Sequence, residues 1–246
     1  MAKREGGAYE TVNRNRFVAL MSCIAQSGSA PGSKMTVVAD SVISSGLEEF
    51  VESIGANIVR YKKGYMNVIN EARRLKASGL NAALAIETSG HSAFADNGWL
   101  DDGTYSAVLA CCEVKRRKVA GEGGIMAMIA QMRESGFEEE LRMNLCDPKG
   151  SATSLFPDVE SLVSGGSMGR WRLDPDNQEG ARFFLEGGGW FMVRPSLHDP
   201  VISSQWECQD LATARKAVKA VRDVIREEGF GEKLDLSELD KVADGE

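Results

Sequence analysis

The sequence predicts an α/β domain built on a parallel sheet, followed by a smaller α+β domain, and three observations carry that prediction. Short apolar strands and helices alternate three times between residues 35 and 118, as in a parallel sheet covered by helices. Glycine is frequent, with 26 residues against 6 prolines, which suits tight strand-to-helix turns better than disorder. After Lys118 the alternation gives way to runs of strands flanked by helices, the pattern of an α+β domain. The chain has 246 residues; at roughly 150 residues per domain this is one large domain or two ordinary ones, with ample chain for a packed core.

Asn13 to Ile24 places Phe17, Leu20, Met21 and Ile24 at helical spacing, and the loop Ser27-Gly-Ser-Ala-Pro-Gly-Ser33 ends it. A strand Met35–Ala39 follows, then a helix from Leu47 to Ile54 closed by Gly55, and a second strand Asn57–Tyr61. Tyr65–Ala77 reads as a helix stopped by Ser78-Gly79, Ala82–Glu87 as a buried strand, and Asp102–Lys118 as a helix with Asp101 or Asp102 as its N-cap. Beyond it come a helix from about Ile125 to Ser135, a strand Leu141–Cys146 and a looser helix near Phe156–Val163. Glycine-punctuated strands Ala181–Leu185, Trp190–Arg194 and Val201–Glu207 then lead to a helix Leu211–Glu228. These elements divide the chain into domains at 12–135 and 136–230, with an acidic tail, 231–246, that is expected to be mobile.

Acidic residues outnumber basic ones by 36 to 29, a net charge of −7, so the chain has no general electrostatic reason to bind nucleic acid or an anionic membrane. No stretch approaches the roughly 20 apolar residues of a membrane span, and the start, Met1-Ala-Lys-Arg-Glu-Gly-Gly7, lacks a signal peptide's apolar core. Cys23, Cys111, Cys112, Cys146 and Cys208 are odd in number and lack CxxC spacing; the neighbours Cys111 and Cys112 lie in an apolar helical stretch, so they read as reduced core residues. These features point to an intracellular protein, cytoplasmic or plastid. With two histidines in the chain, zinc is not expected.

Ligands of an open parallel sheet bind beyond the carboxyl ends of its strands, so the residues where strands stop are the informative ones. The third strand stops at Ile86-Glu87-Thr88-Ser89-Gly90-His91. Glu87 can accept from ligand hydroxyls, Ser89 can donate or accept, and His91 can exchange a proton; a turn with helix-capping side chains is the plainer alternative. A second cluster, Arg194-Pro-Ser196-Leu-His198-Asp199-Pro200, follows a strand, and a guanidinium beside hydroxyl and backbone donors suits an oxyanion such as phosphate. Both histidines fall in these two loops, although surface turns explain that too. Lys62, Lys63 and Gly64, between the second strand and the next helix, are weaker candidates for phosphate. Other patterns are decoys: Gly165-Gly-Ser167-Met-Gly169 stands after a helix, not in a nucleophile elbow's strand-to-helix setting, and Asp174-Pro-Asp176-Asn-Gln-Glu-Gly180 has Leu185 where a calcium loop needs its closing Glu. Gly121-Glu-Gly-Gly124 is an incomplete dinucleotide fingerprint, and Lys115-Arg-Arg-Lys118 reads as the basic end of a helix.

Glu87-Thr-Ser-Gly-His91, followed by Trp99-Leu-Asp-Asp-Gly103 opening a helix and much later by Arg194-Pro-Ser196 ending a strand, resembles the sugar-binding and phosphate-binding loops of the α-D-phosphohexomutases, the phosphoglucomutase/phosphomannomutase family. The Arg60–Tyr65 loop between them and the opening Asn13-Arg-Asn-Arg-Phe17 fit the same order, so the resemblance runs over residues 12 to 228. It implies the third and fourth of the family's four domains: an α/β domain and a smaller α+β domain shaped like the TATA-binding protein. The family moves a phosphoryl group between the 1- and 6-oxygens of a hexose phosphate. By this resemblance Glu87 and Ser89 hold sugar hydroxyls, catalytic His91 assists proton transfer, and Arg194 and Ser196 grip the phosphate that stays. After Arg-Pro many members have Ser-Gly-Thr-Glu-Pro or Ser-Asn-Thr-Glu-Pro; here Leu197, His198 and Asp199 stand in, and His198 would replace the threonine as a phosphate donor. The first domain's Ser-His-Asn-Pro-type loop and the second domain's Asp-Gly-Asp-x-Asp-Arg-type loop have no counterpart in the sequence. The resemblance therefore implies Mg2+ in the complete enzyme with no metal ligand in this chain, hexose 1,6-bisphosphate as activator, hexose phosphate as ligand, and an N-terminal half as partner. A non-catalytic module that binds sugar phosphates or proteins is the alternative.

Overall fold

Hydrophobic burial divides the chain into two units, Met1–Glu134 and Ser135–Glu246, in a computed structural model that describes residues 2–3, 9–12, 14–30, 32–166, 169–196, 199–227 and 229–245. In the first unit a short pairing of β1 (Ala2–Lys3) with β2 (Tyr9–Glu10) precedes helix α1 (Arg14–Ser27). Strands β3 (Thr36–Asp40), β4 (Asn57–Tyr61) and β5 (Ala82–Ile86) are parallel and are connected through helices α2 (Ser45–Ser53) and α3 (Tyr65–Ala77). Strand β6 (Ser92–Phe94) turns back antiparallel on β5, giving the order β4-β3-β5-β6. Helix α4 (Gly103–Ala120) and a 3₁₀ turn at Ile125–Ile129 follow.

Every residue of β3 is buried, because its side chains alternate between two covered faces. Val37 and Ala39 join Met21 and Ile24 of α1 and Leu47 and Phe50 of α2, whereas Val38 joins Val68, Ile69, Ala72 and Leu75 of α3. Helix α2 starts where Ser44 caps it, accepting from Leu47 N–H at 3.1 Å. Helix α4 starts at Asp102, whose carboxylate accepts from the N–H groups of Thr104 and Tyr105; of the two adjacent aspartates, Asp102 is the cap. The expected helix Ile125–Ser135 is only the 3₁₀ turn, since Gly123-Gly124 before it and Gly136 after it leave no cap and little helical propensity. Strand β6 and a short strand at Trp171–Leu173 escape the sequence pattern because each has only three residues.

The cysteine reading needs correction. Cys23 and Cys208 are buried, but Cys111, Cys112 and Cys146 are exposed. The inward stripe of α4 is Tyr105 and Leu109, which pack on the core; Val108, Val114 and Val119 stay exposed with the two cysteines. Apolar residues lie all round this helix, so composition alone does not reveal which stripe turns inward.

The second unit is a six-stranded antiparallel sheet with helices packed against it. Its strands are β7 (Phe137–Leu145), β8 (Trp171–Leu173), β9 (Ala181–Leu185), β10 (Trp190–Pro195), β11 (Val201–Cys208) and β12 (Leu234–Asp235), in the order β12-β7-β11-β10-β9-β8. Helices α5 (Ala152–Gly165), α6 (Leu211–Glu227) and α7 (Ser237–Asp244) complete it. Strand β7 begins earlier than the expected Leu141, because pairing with β11 draws in Glu138-Glu139-Glu140. Phe191 stacks on Trp206 at 4.6 Å and on Phe183 at 5.0 Å between ring centroids, and Trp171 meets it edge-on at 5.7 Å; this aromatic row fills the sheet's helix-facing side. Ala214, Val218, Val221 and Ile225, at helical spacing on α6, press onto the same core.

Residues 231–246, expected to be a mobile tail, are corrected by the structure. Leu234 pairs with Leu145 and Asp235 with Asn144, and Leu234, Leu236 and Leu239 are buried in the second core. Arg222 of α6 bonds Asp240 and Asp244, and Arg226 grips both carboxylate oxygens of Asp240 at 2.7 Å. The acidic charge that suggested disorder is the set of partners for these two arginines. Leu239→Ala should destabilise the second unit by about 2–5 kcal/mol, the usual range for emptying a buried leucine site. Denaturant unfolding checks this, and a loss under about 0.5 kcal/mol would show the tail to be dispensable.

Candidate functional site

In the first unit the polar residues collect where the parallel strands end. β5 stops at Ile86, and residues 87–91 turn back into β6: Gly90 N–H donates to Glu87 O and Glu87 N–H to His91 O, each at 2.9 Å. Gly90 sits at φ 102°, a conformation open to glycine at little cost. Glu87 is buried, and its Oε1 accepts from Gly64 N–H at 2.6 Å while its Oε2 lies 3.4 Å from Ser89 Oγ. Gly64 caps the N-terminus of α3, so the Glu87 charge is held by a backbone donor at a helix start, where the dipole favours an anion.

His91 is exposed, and its Nδ1 lies 2.6 Å from Asp101 Oδ2; Tyr65 stacks on its ring at 5.2 Å. Asp101 Oδ1 in turn accepts from Ser92 N–H at 3.1 Å. Asp40, at the end of β3, is fully buried and accepts from Thr88 Oγ1 at 2.8 Å and from Thr88 N–H at 3.4 Å. Burial pushes its carboxyl up to about 6, the Thr88 hydroxyl and Lys63 pulling the other way.

The structure thus brings together Glu87, Ser89, His91 and Gly64, with Lys63 near enough to act on Asp40. Lys62 is exposed on the same loop. Sequence reasoning missed Asp40, Asp101 as a histidine partner, and Tyr65. Asp40 carries the same signal as Glu87, a carboxylate immediately after an apolar strand; nothing local in the sequence separates Asp101 from Asp102.

In the second unit β10 presents Arg194, half-buried and without an ion-pair partner among the described residues. Gly180 backs it closely: a Cβ there would lie 2.8 Å from Arg194 Cβ and 2.3 Å from Val193 O. Ser196 N–H donates to Val201 O at 2.8 Å and Ser196 Oγ accepts from Asp199 N–H at 3.1 Å. His198 lies outside the described residues, as does Ser167 of the glycine-rich decoy. Asp174 of the calcium-like loop faces buried Arg182 at 3.7 Å and accepts from Asp176 N–H, a turn and an ion pair in place of a metal cage. Among the described residues no three His, Cys, Asp or Glu side chains cluster to hold a metal, and no helix is long and apolar enough to cross a membrane.

Fold and loops together define an α/β unit with a polar site at its strand ends, followed by an antiparallel α+β unit. The comparisons make the class specific. The phosphoglucomutase/phosphomannomutase α/β/α domain III matches residues 13–132. A phosphoglucosamine mutase of Sphingopyxis alaskensis is 26% identical over 190 residues, 77% of this chain but 36% of that protein. The chain thus spans about a third of the length of that curated relative. A phosphoglucomutase/phosphomannomutase family protein of Burkholderia thailandensis superposes with a TM-score of 0.65 at 19% identity, covering 89% of this chain and 43% of that one. The open form of pp63/parafusin, a Paramecium phosphoglucomutase, gives 0.64 at 13% identity over the same shares, 89% and 43%. The first unit thus matches a phosphoglucomutase/phosphomannomutase domain III, and the chain shares its fold with less than half of each of those two solved structures.

Asp40 makes stability depend on pH. A carboxyl whose folded pKa lies near 6 instead of its ordinary 3.8 favours the folded state when protonated, so this contribution is whole below pH 3.8 and is lost as pH rises to about 6. The loss is on the order of 3 kcal/mol. Asp40→Asn, which keeps an acceptor for Thr88 without the charge, should be more heat-stable than the parent at pH 8, and the gap should close towards pH 4. Melting curves showing a gap independent of pH would refute this.

Proposed function

We propose that this chain is the sugar- and phosphate-positioning half of a phosphohexomutase, acting in intramolecular transfer of a phosphoryl group between the 1- and 6-oxygens of a hexose phosphate. The observation that carries the reading is the convergence of Glu87, Ser89 and His91 at the carboxyl ends of the parallel strands of a domain III. Glu87 accepts from sugar hydroxyls while Gly64 N–H holds the carboxylate in place, Ser89 offers a second hydrogen bond, and His91 moves a proton at the reacting oxygen. Arg194 gives phosphate a charge-assisted fork, supported by its lack of an ion-pair partner among the described residues; Ser196 adds a hydroxyl and His198 a further donor. Lys62 and Lys63 contribute positive charge beside the helix start. The phosphoryl carrier and Mg2+ belong to a partner N-terminal half, with hexose 1,6-bisphosphate as activator, and the steps assigned to this chain need neither from its own residues.

Two experiments test this. Alone, the purified chain should not interconvert hexose 1- and 6-phosphates, and mixed with the first two domains of a family member it should associate and turn over; halves that neither associate nor react would refute the reading. In that complex Arg194→Ala should weaken hexose phosphate and inorganic phosphate alike, by about 2 kcal/mol or some thirtyfold. Glu87→Gln should weaken the sugar phosphate and leave inorganic phosphate nearly unchanged. Calorimetric titration showing that Glu87→Gln removes phosphate binding as fully as Arg194→Ala would overturn the assignment of the two loops.

A further inference from the structure

Asp101 and Asp102 are neighbours with separate tasks. Asp102 is committed to the first turn of α4 through Thr104 and Tyr105. Asp101 turns back to the 87–91 loop, with Oδ2 2.6 Å from His91 Nδ1 and Oδ1 accepting from Ser92 N–H at 3.1 Å. The imidazole is held from a second side by Tyr65, the first residue of α3, stacked at 28° to it. We infer that Asp101 is a positioning residue that holds His91 in its Nδ1–H tautomer, making Nε2 a proton acceptor; the inference rests on the proposed role of His91 at the sugar site.

The chemistry follows from donor and acceptor counts. An ionised carboxylate only accepts, so the hydrogen of the 2.6 Å contact belongs to His91 Nδ1. A neutral imidazole has a single N–H, which leaves the lone pair on Nε2. The backbone N–H of Ser92 can only donate, and it holds Oδ1, which keeps Oδ2 facing His91 Nδ1. When a bound hydroxyl gives up its proton, the O–H bond breaks, the oxygen keeps the electron pair and an Nε2–H bond forms. The imidazolium so produced keeps its Nδ1–H on Asp101, which stabilises the new charge. Without that carboxylate a histidine with half its side chain exposed is free to take the Nε2–H form that free histidine favours, and would offer a donor where an acceptor is needed.

The test reads the tautomer directly, in the full chain labelled with ¹⁵N-histidine, from long-range ¹H–¹⁵N spectra at alkaline pH. The sequence has two histidines, so His198→Gln assigns the signals of His91. The parent chain should show a protonated Nδ1 and a bare Nε2. In Asp101→Asn the amide oxygen stays with Ser92 N–H and its NH2 faces Nδ1, so the pattern should invert; in Asp101→Ala it should revert to mainly Nε2–H. Unchanged melting temperatures would show that the fold is intact. A parent chain protonated on Nε2, or the same pattern in parent and Asp101→Asn, overturns the inference. Because the spectra need no ligand, failure to bind hexose phosphate would sink the sugar-site reading and leave this one standing, and the reverse result would do the opposite.

Discussion

Strand β3 is covered on both faces, and the first unit depends on that constraint. With Val37 and Ala39 turned to α1 and α2 and Val38 turned to α3, charge is excluded from the strand's length and can stand only where the strand ends. The parallel direction of β3, β4 and β5 then puts all three carboxyl ends on one edge. Asp40 is the last residue of β3 and Glu87 follows β5 directly, and the loop after β4 lies beside them because α3 must start there to return over the sheet. A polar site at this edge is what remains when a doubly covered parallel sheet expels its charges.

The carboxylates at that edge are held in different ways. Glu87 is buried but bonded to Gly64 N–H at the start of α3, so an anion is stabilised there by dipole and hydrogen bond together. Asp40 is buried with a hydroxyl and a weaker amide contact, and desolvation dominates it. Asp101 is more accessible and answers to a histidine and a backbone amide. One edge thus offers an anchored anion, a carboxyl raised by burial to about 6 and an imidazole bonded to a carboxylate. Such separation of neighbouring acids by environment lets one site handle both hydroxyls and protons.

The second unit uses different physics to present Arg194. The helix-facing side of its sheet is filled by the aromatic row centred on Phe191 together with α6 and the terminal strand and helix, while the other side buries Trp190 and Met192 with the polar Arg182, Gln205 and Glu207. Alternation along β10 puts Phe191 and Val193 on that core side, so Arg194 turns away from it. Gly180 lets the neighbouring chain approach closely enough to support the arginine.

Periodicity and glycine spacing in the sequence were sufficient for the alternation of the first unit, the three parallel strands and the residues at their ends, because burial on both faces leaves an uninterrupted apolar run that is visible locally. The motif Glu87–His91 was legible for the same reason, and the family resemblance suggested the role proposed for it. Local pattern did not show that Cys111 and Cys112 are exposed, since apolar residues surround α4 and only packing chooses its inner stripe. Nor did it show that residues 234–244 belong to the second core, because their acidity makes sense only beside Arg222 and Arg226 on another helix. Asp101 and Asp102 are chemically identical neighbours in sequence; the helix N-terminus takes one and His91 the other. Short-range spacing thus determined the strands and their polar ends, while the partners of each charge, which are contacts between residues distant in sequence, were decided by the tertiary structure alone.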